Sequence, residues 1–207
     1  MRFLRRALRR ALARAGYRVA RIPAQQIVPP GALAAQGIEA AGSHFPVLAA
    51  AVARTAGQGP VLELGMGDYS TPMLHLLCHD RLLVSADNSA RWVARYEAFR
   101  SPRHELHFVD DWDRFVLLEA RHWAVAFVDC SPVIRRVELV ERLQGHARFI
   151  VVHDTETEPD KVAATVYAFE GVFARFRFRT DYRVFKPFTT ILSDESPFEL
   201  TAAEAVR

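Results

Sequence analysis

The residues best suited to chemistry in this 207-residue sequence are acidic and polar side chains that follow short apolar runs. If those runs are parallel strands, ligands bind beyond their carboxyl ends, so these side chains would meet along one edge of a sheet. A single Asp or Asn there is typical of a helix cap, but acids after five successive runs indicate a polar ligand site. The series comprises Glu63, Asp87, Asn88, Asp110, Asp111, Asp129, His153, Asp154 and Glu156.

A glycine pair follows the first of these runs. Gly65 and Gly67 allow the backbone to approach a ligand without a Cβ in the way, and a helix starting near Ser70 offers unpaired N–H groups to an anion. Asp87, which ends the next run, is placed to accept hydrogen bonds from two ribose hydroxyls. The third run then delivers an acid and the flat side of Trp112 to a base. Together these features indicate a ligand that contains adenosine.

The spacing of the apolar runs predicts an α/β fold. The runs begin roughly 20 to 25 residues apart with helical patterns between them, which is typical of successive βαβ units and of a parallel sheet with helices on both faces. The last two strands leave no room for a helix between them, so the sheet should end in an antiparallel pair. The predicted strands are Val61–Leu64, Leu82–Ala86, Glu105–Val109, Trp123–Val128, Phe149–His153, Phe176–Phe185 and Thr189–Leu192. The predicted helices are Ser43–Arg54, with Ser43 as its cap, Ala90–Phe99, Val133–Leu143 and Val162–Phe173.

The charge is unevenly distributed along the chain. Residues 1–21 hold eight Arg and no acid, whereas residues 22–207 hold 19 basic residues against 24 acidic ones, a net charge of −5. A body of that sign is a poor match for a polyanion, which argues against a nucleic-acid partner. The pattern predicts a basic amphipathic helix over 1–21, a linker over 22–42 and one domain over 43–207.

The apolar stripe of the first segment, Leu4, Leu8 and Leu12, has two interpretations. It packs on the protein's own body, or it lies on an anionic membrane surface with the Arg side chains. An Arg-rich start also resembles an organellar transit peptide, although Arg is the preferred base along the whole chain.

The cellular location follows from what the sequence lacks. No window is apolar enough to cross a bilayer, and no signal peptide pattern follows the basic start. Cys78 and Cys130 lie in apolar runs and are too few for a disulfide framework or a zinc site of their own. We expect a cytoplasmic protein, with residues 1–21 as a candidate for peripheral attachment to the inner face of the membrane.

The segment Val-Leu-Glu-Leu-Gly-Met-Gly-Asp-Tyr-Ser-Thr over 61–71, with the later acids and the final strand pair, resembles class I S-adenosylmethionine-dependent methyltransferases. The resemblance covers about residues 55–195 and implies a Rossmann-like, seven-stranded, mostly parallel sheet. We interpret the sequence as that of a methyltransferase which transfers the methyl group to a hydroxyl oxygen of a small molecule or glycan. The cofactor-binding residues that the resemblance implies are Glu63, Gly65, Gly67, Tyr69, Ser70, Asp87, Asn88, Asp111, Trp112 and Asp129.

Within that fold, Asp129 and Asp154 resemble two carboxylates by which catechol-type O-methyltransferases hold Mg²⁺ or another divalent ion. Such an ion would lower the pKa of a bound substrate hydroxyl. The match departs from the family twice: Thr155 stands where the next ligand, an Asn, is expected, and Cys130-Ser131-Pro132 stands where a general-base Lys is expected. Glu156 or His153 would then substitute, which makes Asp129, His153 and Asp154 the candidate catalytic residues.

Several alternatives stay open at this point. A nucleotide-dependent oxidoreductase also uses a glycine loop, but it requires a third glycine where Ser70 stands. A catalytically silent, membrane-attached binding subunit on the same fold is consistent with the two departures. Arg135 and Arg136 either hold an anionic substrate or form ion pairs. A second copy of the chain is a further candidate partner.

Overall fold

The computed structural model describes residues 42–156 and 169–200. The chain divides into two units, Met1–Gly37 and Ile38–Arg207, and every described residue belongs to the second. The predicted helix over 1–21 and nearly all of the predicted linker therefore lie outside the described residues, as does much of the predicted helix Val162–Phe173. No helix in the described ranges is long and apolar enough to span a bilayer.

The described residues contain one seven-stranded sheet. Its strands are β1 (Val61–Leu64), β2 (Leu83–Asp87), β3 (His104–Phe108), β4 (Trp123–Val128), β5 (Ala147–His153), β6 (Phe178–Tyr182) and β7 (Thr189–Ser193). The spatial order is β3-β2-β1-β4-β5-β7-β6, and all pairings are parallel except those of β7 with β5 and β6. The predicted Rossmann-like sheet with an antiparallel end is confirmed.

Helices cover both faces of this sheet. They are α1 (Phe45–Arg54), α2 (Ser70–Leu77), α3 (Ala90–Arg95) and α4 (Val133–Leu143), and residues 169–173 are also helical. The helix predicted over Ala90–Phe99 ends at Arg95 and continues as a separate 3₁₀ turn over Glu97–Phe99. The cap predicted at Ser43 is wrong: His44 occupies the N-cap of α1, and the hydroxyl of Ser43 bonds to other elements.

The core is divided between the two faces of the sheet. On β4, Ala126 and Val128 belong to one buried cluster, whereas Val125 and Phe127 belong to the other. This alternation is the period-two pattern of a strand whose side chains point to opposite faces. Buried clusters cover both faces of the central strands, and the carboxyl ends of β1, β4 and β5, where α/β sheets bind ligands, lie side by side.

Candidate cofactor and acceptor site

The turn after β1 passes very close to the end of β4. Gly65 has φ +98, and a Cβ at this position would lie 2.5 Å from the backbone C and O of Asp129. Only glycine fits such a contact. The sequence predicted that Gly65 approaches a ligand, but its close neighbour is the end of β4. The turn that carries Gly65 and Gly67, the glycine loop, therefore lies against Asp129. At Gly67 a Cβ would meet only the Ser70 Oγ, at 3.5 Å.

Glu63 lies beneath the glycine loop and is fully buried. Its carboxylate accepts hydrogen bonds from Thr71 Oγ1 at 3.0 and 3.1 Å, and that Oγ1 also accepts a bond from the Gly67 N–H at 3.0 Å. Burial raises the pKa of Glu63 to about 7, although hydrogen bonds from nearby hydroxyls act to lower it. Glu63 therefore supports the loop from below, through a threonine that the sequence did not single out.

Asp87 connects the glycine loop to α3. Its Oδ2 accepts a hydrogen bond from the Met66 N–H at 2.7 Å, and its Oδ1 accepts one from the Ser89 N–H at 2.6 Å. The residue is 5% exposed, and burial raises the pKa of its carboxyl group. Each carboxylate oxygen has a second lone pair, which suits the predicted ribose contact. The neighbouring Asn88 donates from Nδ2 to the carbonyl of Ser131 at 2.8 Å.

The third strand end is built for structural support as well. Asp111 caps the 3₁₀ turn Trp112–Arg114 by accepting a hydrogen bond from the Asp113 N–H at 3.0 Å. The ring of Trp112 is 4% exposed and meets Phe115 edge to face, with 6.2 Å between ring centroids. The adenine contacts that the resemblance implies for Asp111 and Trp112 stay predictions.

A cavity of about 340 Å³ opens at the carboxyl ends of the strands. It brings together six predicted site residues and three that sequence reasoning missed. The predicted ones are Gly67, Tyr69, Ser70, Asp129, His153 and Asp154, and the others are His44, Asp68 and Trp92. The glycine loop therefore faces the acidic strand ends across one open space, while Glu63, Gly65 and Asp87 support its walls.

His153 is held by hydrogen bonds at both ring nitrogens. Nε2 lies 2.8 Å from the Oγ of Ser43, and Nδ1 lies 3.1 Å from Oδ1 of Asp129. The Oγ of Ser43 also donates to the carbonyl of Pro187 at 2.7 Å, so the ring of His153 is held between Ser43 and Asp129. Each nitrogen is thus engaged within the protein, and the catalytic role of His153 stays a prediction.

Arg136 lies between the two acids of the cluster and is 3% exposed. Its guanidinium reaches Asp129 Oδ1 at 2.9 Å and Asp154 Oδ2 at 2.8 Å. It also donates to the backbone carbonyls of Cys130, His153 and Asp129, at 2.8, 2.9 and 3.2 Å. Of the two interpretations of Arg136, the ion pair is confirmed.

The predicted metal site on Asp129 and Asp154 does not fit this arrangement. A divalent ion between Oδ1 of Asp129 and Oδ2 of Asp154 would have to displace the buried guanidinium that these two oxygens already bind. His44, Asp129 and His153 also offer ligand atoms within 4.8 Å of one another. Both nitrogens of His153 are engaged, however, and Oδ1 of Asp129 binds Arg136. We therefore derive no step through a metal ion.

The pKa of Asp129 lies below its ordinary value. Burial raises this pKa, but the hydrogen bond from His153 and the charges of His153 and Arg136 lower it by more. Asp129 is thus an ionised carboxylate at neutral pH. The bonds from His153 and Arg136 both end on Oδ1. Oδ2 has no hydrogen-bond partner among residues 42–156 and 169–200, and the residue lines the cavity.

No protein-family model matches this sequence, and no curated protein sequence matches it either. Solved structures do resemble the described fold. Cofactor-bound Rv0187 from MTB is 18% identical, with 92% of this chain and 89% of that chain covered and a TM-score of 0.55. The METTL16 methyltransferase domain is 13% identical, with 92% and 96% covered and a TM-score of 0.50. Spermidine synthase from Thermotoga maritima is 15% identical, with 66% and 54% covered and a TM-score of 0.50.

The described residues have the Rossmann-like fold of solved methyltransferase structures. The chain spans about half the length of the spermidine synthase that it resembles. These structures support the methyltransferase fold, but they do not show the narrower resemblance to catechol-type O-methyltransferases.

Proposed function

We propose that the protein is an S-adenosylmethionine-dependent methyltransferase that methylates a hydroxyl oxygen of a small molecule or glycan precursor. The observation that carries this proposal is the cavity, which joins the glycine loop to Asp129, His153 and Asp154 in a methyltransferase fold. A methyl donor held on the loop side would lie next to polar groups that suit a hydroxyl acceptor. Positioning of the two reactants is the largest contribution that such a site has to make.

The residues of the loop side fit the cofactor. Asp87 is fixed by two backbone N–H groups and retains lone pairs for ribose hydroxyls, while Tyr69 and Ser70 line the cavity. When bound, the cofactor supplies an electrophilic methyl group on a positively charged sulfur. Asp129 and Asp154 are proposed to stabilise positive charge that develops on the acceptor oxygen, and His153 holds Asp129 in place.

Calorimetry with S-adenosylhomocysteine and with a nicotinamide dinucleotide tests the proposal. We expect binding of the first and none of the second. The reverse result would favour the oxidoreductase alternative. Tight binding of S-adenosylmethionine without transfer to any acceptor would favour the silent subunit.

We expect Asp87→Ala to weaken S-adenosylmethionine binding by about 1.5–3 kcal/mol, because hydrogen bonds to a charged group are lost. This corresponds to roughly 10- to 150-fold in the dissociation constant. Calorimetry measures the effect, and thermal melting checks that the variant is folded. Asp80→Ala, at an exposed acid on the chain between α2 and β2, is the matched control. Unchanged affinity in folded Asp87→Ala would remove the ribose assignment.

Exhaustive chelation is expected to leave both cofactor affinity and methyl transfer unchanged. The positive charge between Asp129 and Asp154 comes from Arg136, which a chelator does not extract. The measurement is turnover before and after dialysis against a chelator, with added Mg²⁺ and Mn²⁺ as controls. If chelation abolishes turnover and added Mg²⁺ or Mn²⁺ restores it, a metal ion replaces the guanidinium of Arg136 between the two carboxylates.

We further propose a cytoplasmic location with attachment to the inner membrane face through residues 1–21. Eight Arg contribute up to about 1 kcal/mol each near an anionic surface, and burial of Leu4, Leu8 and Leu12 adds about 1.5–3 kcal/mol apiece at most. The intact chain should adsorb to anionic vesicles, and binding should fall with salt because Arg attraction is screened within about 10 Å at 0.1 M.

Deletion of residues 1–21 should abolish vesicle binding without changing cofactor affinity, and neutral vesicles serve as the control. If the intact chain ignores anionic vesicles and the truncated chain melts at a lower temperature, the leucine stripe packs on the protein itself or in a homodimer.

A further inference from the structure

The proposed function leaves one buried polar side chain of the cavity without a role, and that side chain is His44. His44 is 2% exposed and lines the cavity. Neither of its ring nitrogens has a hydrogen-bond partner in the part of the chain that the structure describes. A buried polar group without a partner costs about 1–3 kcal/mol. An orphan of this kind beside an open cavity indicates a ligand group that completes its hydrogen bonds.

Packing fixes the ring of His44 in place. It lies 4.8 Å from the ring of Phe127 and 4.7 Å, edge to face, from the ring of His153, between centroids. Burial, followed by the neighbouring His153, lowers the pKa of His44 to about 4. The ring is therefore neutral near pH 7, with one nitrogen that accepts a proton and one that donates.

The charges around the cavity indicate an uncharged ligand. Arg136 already donates to two carboxylates and three carbonyls, so its guanidinium is not available to an anionic substrate. The carboxylates of Asp129 and Asp154 line the same space and would repel an anion. A hydroxyl group, which both donates and accepts, matches a neutral imidazole beside an acceptor oxygen of Asp129.

We infer that His44 is a catalytic residue that binds the hydroxyl of an uncharged alcohol or sugar acceptor and takes its proton during methyl transfer. The inference rests on the proposed function and assigns its proton acceptor. The bond from the donor's sulfur to the methyl carbon breaks, and a carbon–oxygen bond forms to the acceptor. The sulfonium becomes a neutral thioether, and the hydroxyl proton moves to the free ring nitrogen of His44.

The low basicity of His44 is sufficient for this step. An oxygen that has gained a methyl group while it keeps its proton is a far stronger acid than an imidazolium ion, so the proton moves to the ring. Asp129 and Asp154 both raise the pKa of His44 by their charge, and they would stabilise the imidazolium that forms. His153, by contrast, already has a hydrogen-bond partner at each ring nitrogen within the protein.

The test compares wild-type protein with His44→Phe, which keeps a ring against Phe127 and removes both nitrogens. His122→Phe is the control, because His122 is an exposed histidine directly before β4, at the opposite end of the sheet. Calorimetry with S-adenosylhomocysteine should give dissociation constants within twofold for all three proteins. His44→Phe should melt at or above the wild-type temperature, because the orphaned polar atoms are gone.

A crystal structure of the wild-type complex with S-adenosylhomocysteine completes the test. We expect an ordered water in the cavity, within hydrogen-bond distance of a His44 nitrogen, at the position of the acceptor hydroxyl. A tenfold loss of affinity in His44→Phe, a cofactor atom bonded to His44, or a ring that bonds nothing in the complex would overturn the inference alone. Failure of the wild-type protein to bind S-adenosylhomocysteine would refute the proposed function and this inference together.

Discussion

Replacement of Arg136 by methionine is expected to lower the free energy of unfolding by about 3–5 kcal/mol near neutral pH, because breaking a buried ion pair leaves its partner charges uncompensated. Asp129 and Asp154 would both lose the cation between them, and three backbone carbonyls would lose a donor. A loss of this size is a large fraction of the stability of an ordinary domain. Urea denaturation monitored by circular dichroism measures it.

The loss should depend on pH in a defined direction. In the wild-type protein the pKa of Asp129 is lowered, partly by Arg136, so Asp129 contributes stability above its unfolded-state pKa and loses that contribution as the pH falls. Without the guanidinium the pKa of Asp129 should rise. The difference in stability between wild type and variant should therefore be largest near neutral pH and should narrow as the pH approaches about 4.

The adjacent residue provides the control. Arg135 forms ion pairs with Asp113 and Glu138 whose carboxylates are half exposed. Exposed pairs contribute about 0–1 kcal/mol, so Arg135→Met should change the free energy of unfolding by no more than that. Equal losses in the two variants would mean that water solvates the carboxylates of Asp129 and Asp154 and that Arg136 does not stabilise them.

Gly65→Ala is expected to be comparably damaging. The alanine Cβ would lie 2.5 Å from backbone atoms of Asp129, which cannot rotate away, and φ +98 is itself unfavourable for alanine. The strained backbone costs about 1–3 kcal/mol, and the forced contact costs about 1–3 kcal/mol more. The same shift would separate the glycine loop from the end of β4, so cofactor affinity should fall with stability.

Gly145→Ala separates the two contributions. Gly145 has φ +76, but nothing lies within 4 Å of a Cβ built there, so this variant carries the backbone strain without the forced contact. Denaturation of both variants should place the loss in Gly65→Ala well above that in Gly145→Ala. Equal losses would show that the loop moves away from β4 at little cost.

Local patterns predicted the framework well. The strands β1 and β4 and the helix Val133–Leu143 have the predicted bounds. A strand buried on both faces gives a continuous apolar run, and a helix gives an apolar stripe, so both can be recognised from residues close together in the sequence. The other strands of the parallel sheet differ from their predictions by one or two residues at an end. The meeting of Asp129, His153 and Asp154 followed from the same reasoning, since all three end neighbouring strands.

What the sequence did not predict depends on contacts between distant residues. Ser43 has the residue type and position of a helix cap, but its hydroxyl bonds to β5 and to the turn before β7. The cation between Asp129 and Asp154 was expected to be a metal. Arg136 stands on the same helical stripe as the buried Val140 and Leu143, and a charge on an apolar stripe is a signal for a buried ion pair. His44 carries no comparable signal, because its lack of partners is visible only in three dimensions.

The hydrogen bonds of Ser43 have a consequence for the order in which the protein assembles. They join residues that are 110 and 144 positions apart, whereas the bond from Met66 to Asp87 spans 21. The entropy lost on closing a loop grows with its length, and long-range pairings slow folding. The contacts of Glu63, Gly65 and Asp87 lie within residues 63–129, whereas the hydroxyl of Ser43 has its acceptor only once Pro187 has been synthesised. A truncated translation product that ends before this proline would lack the partner that fixes the hydroxyl of Ser43.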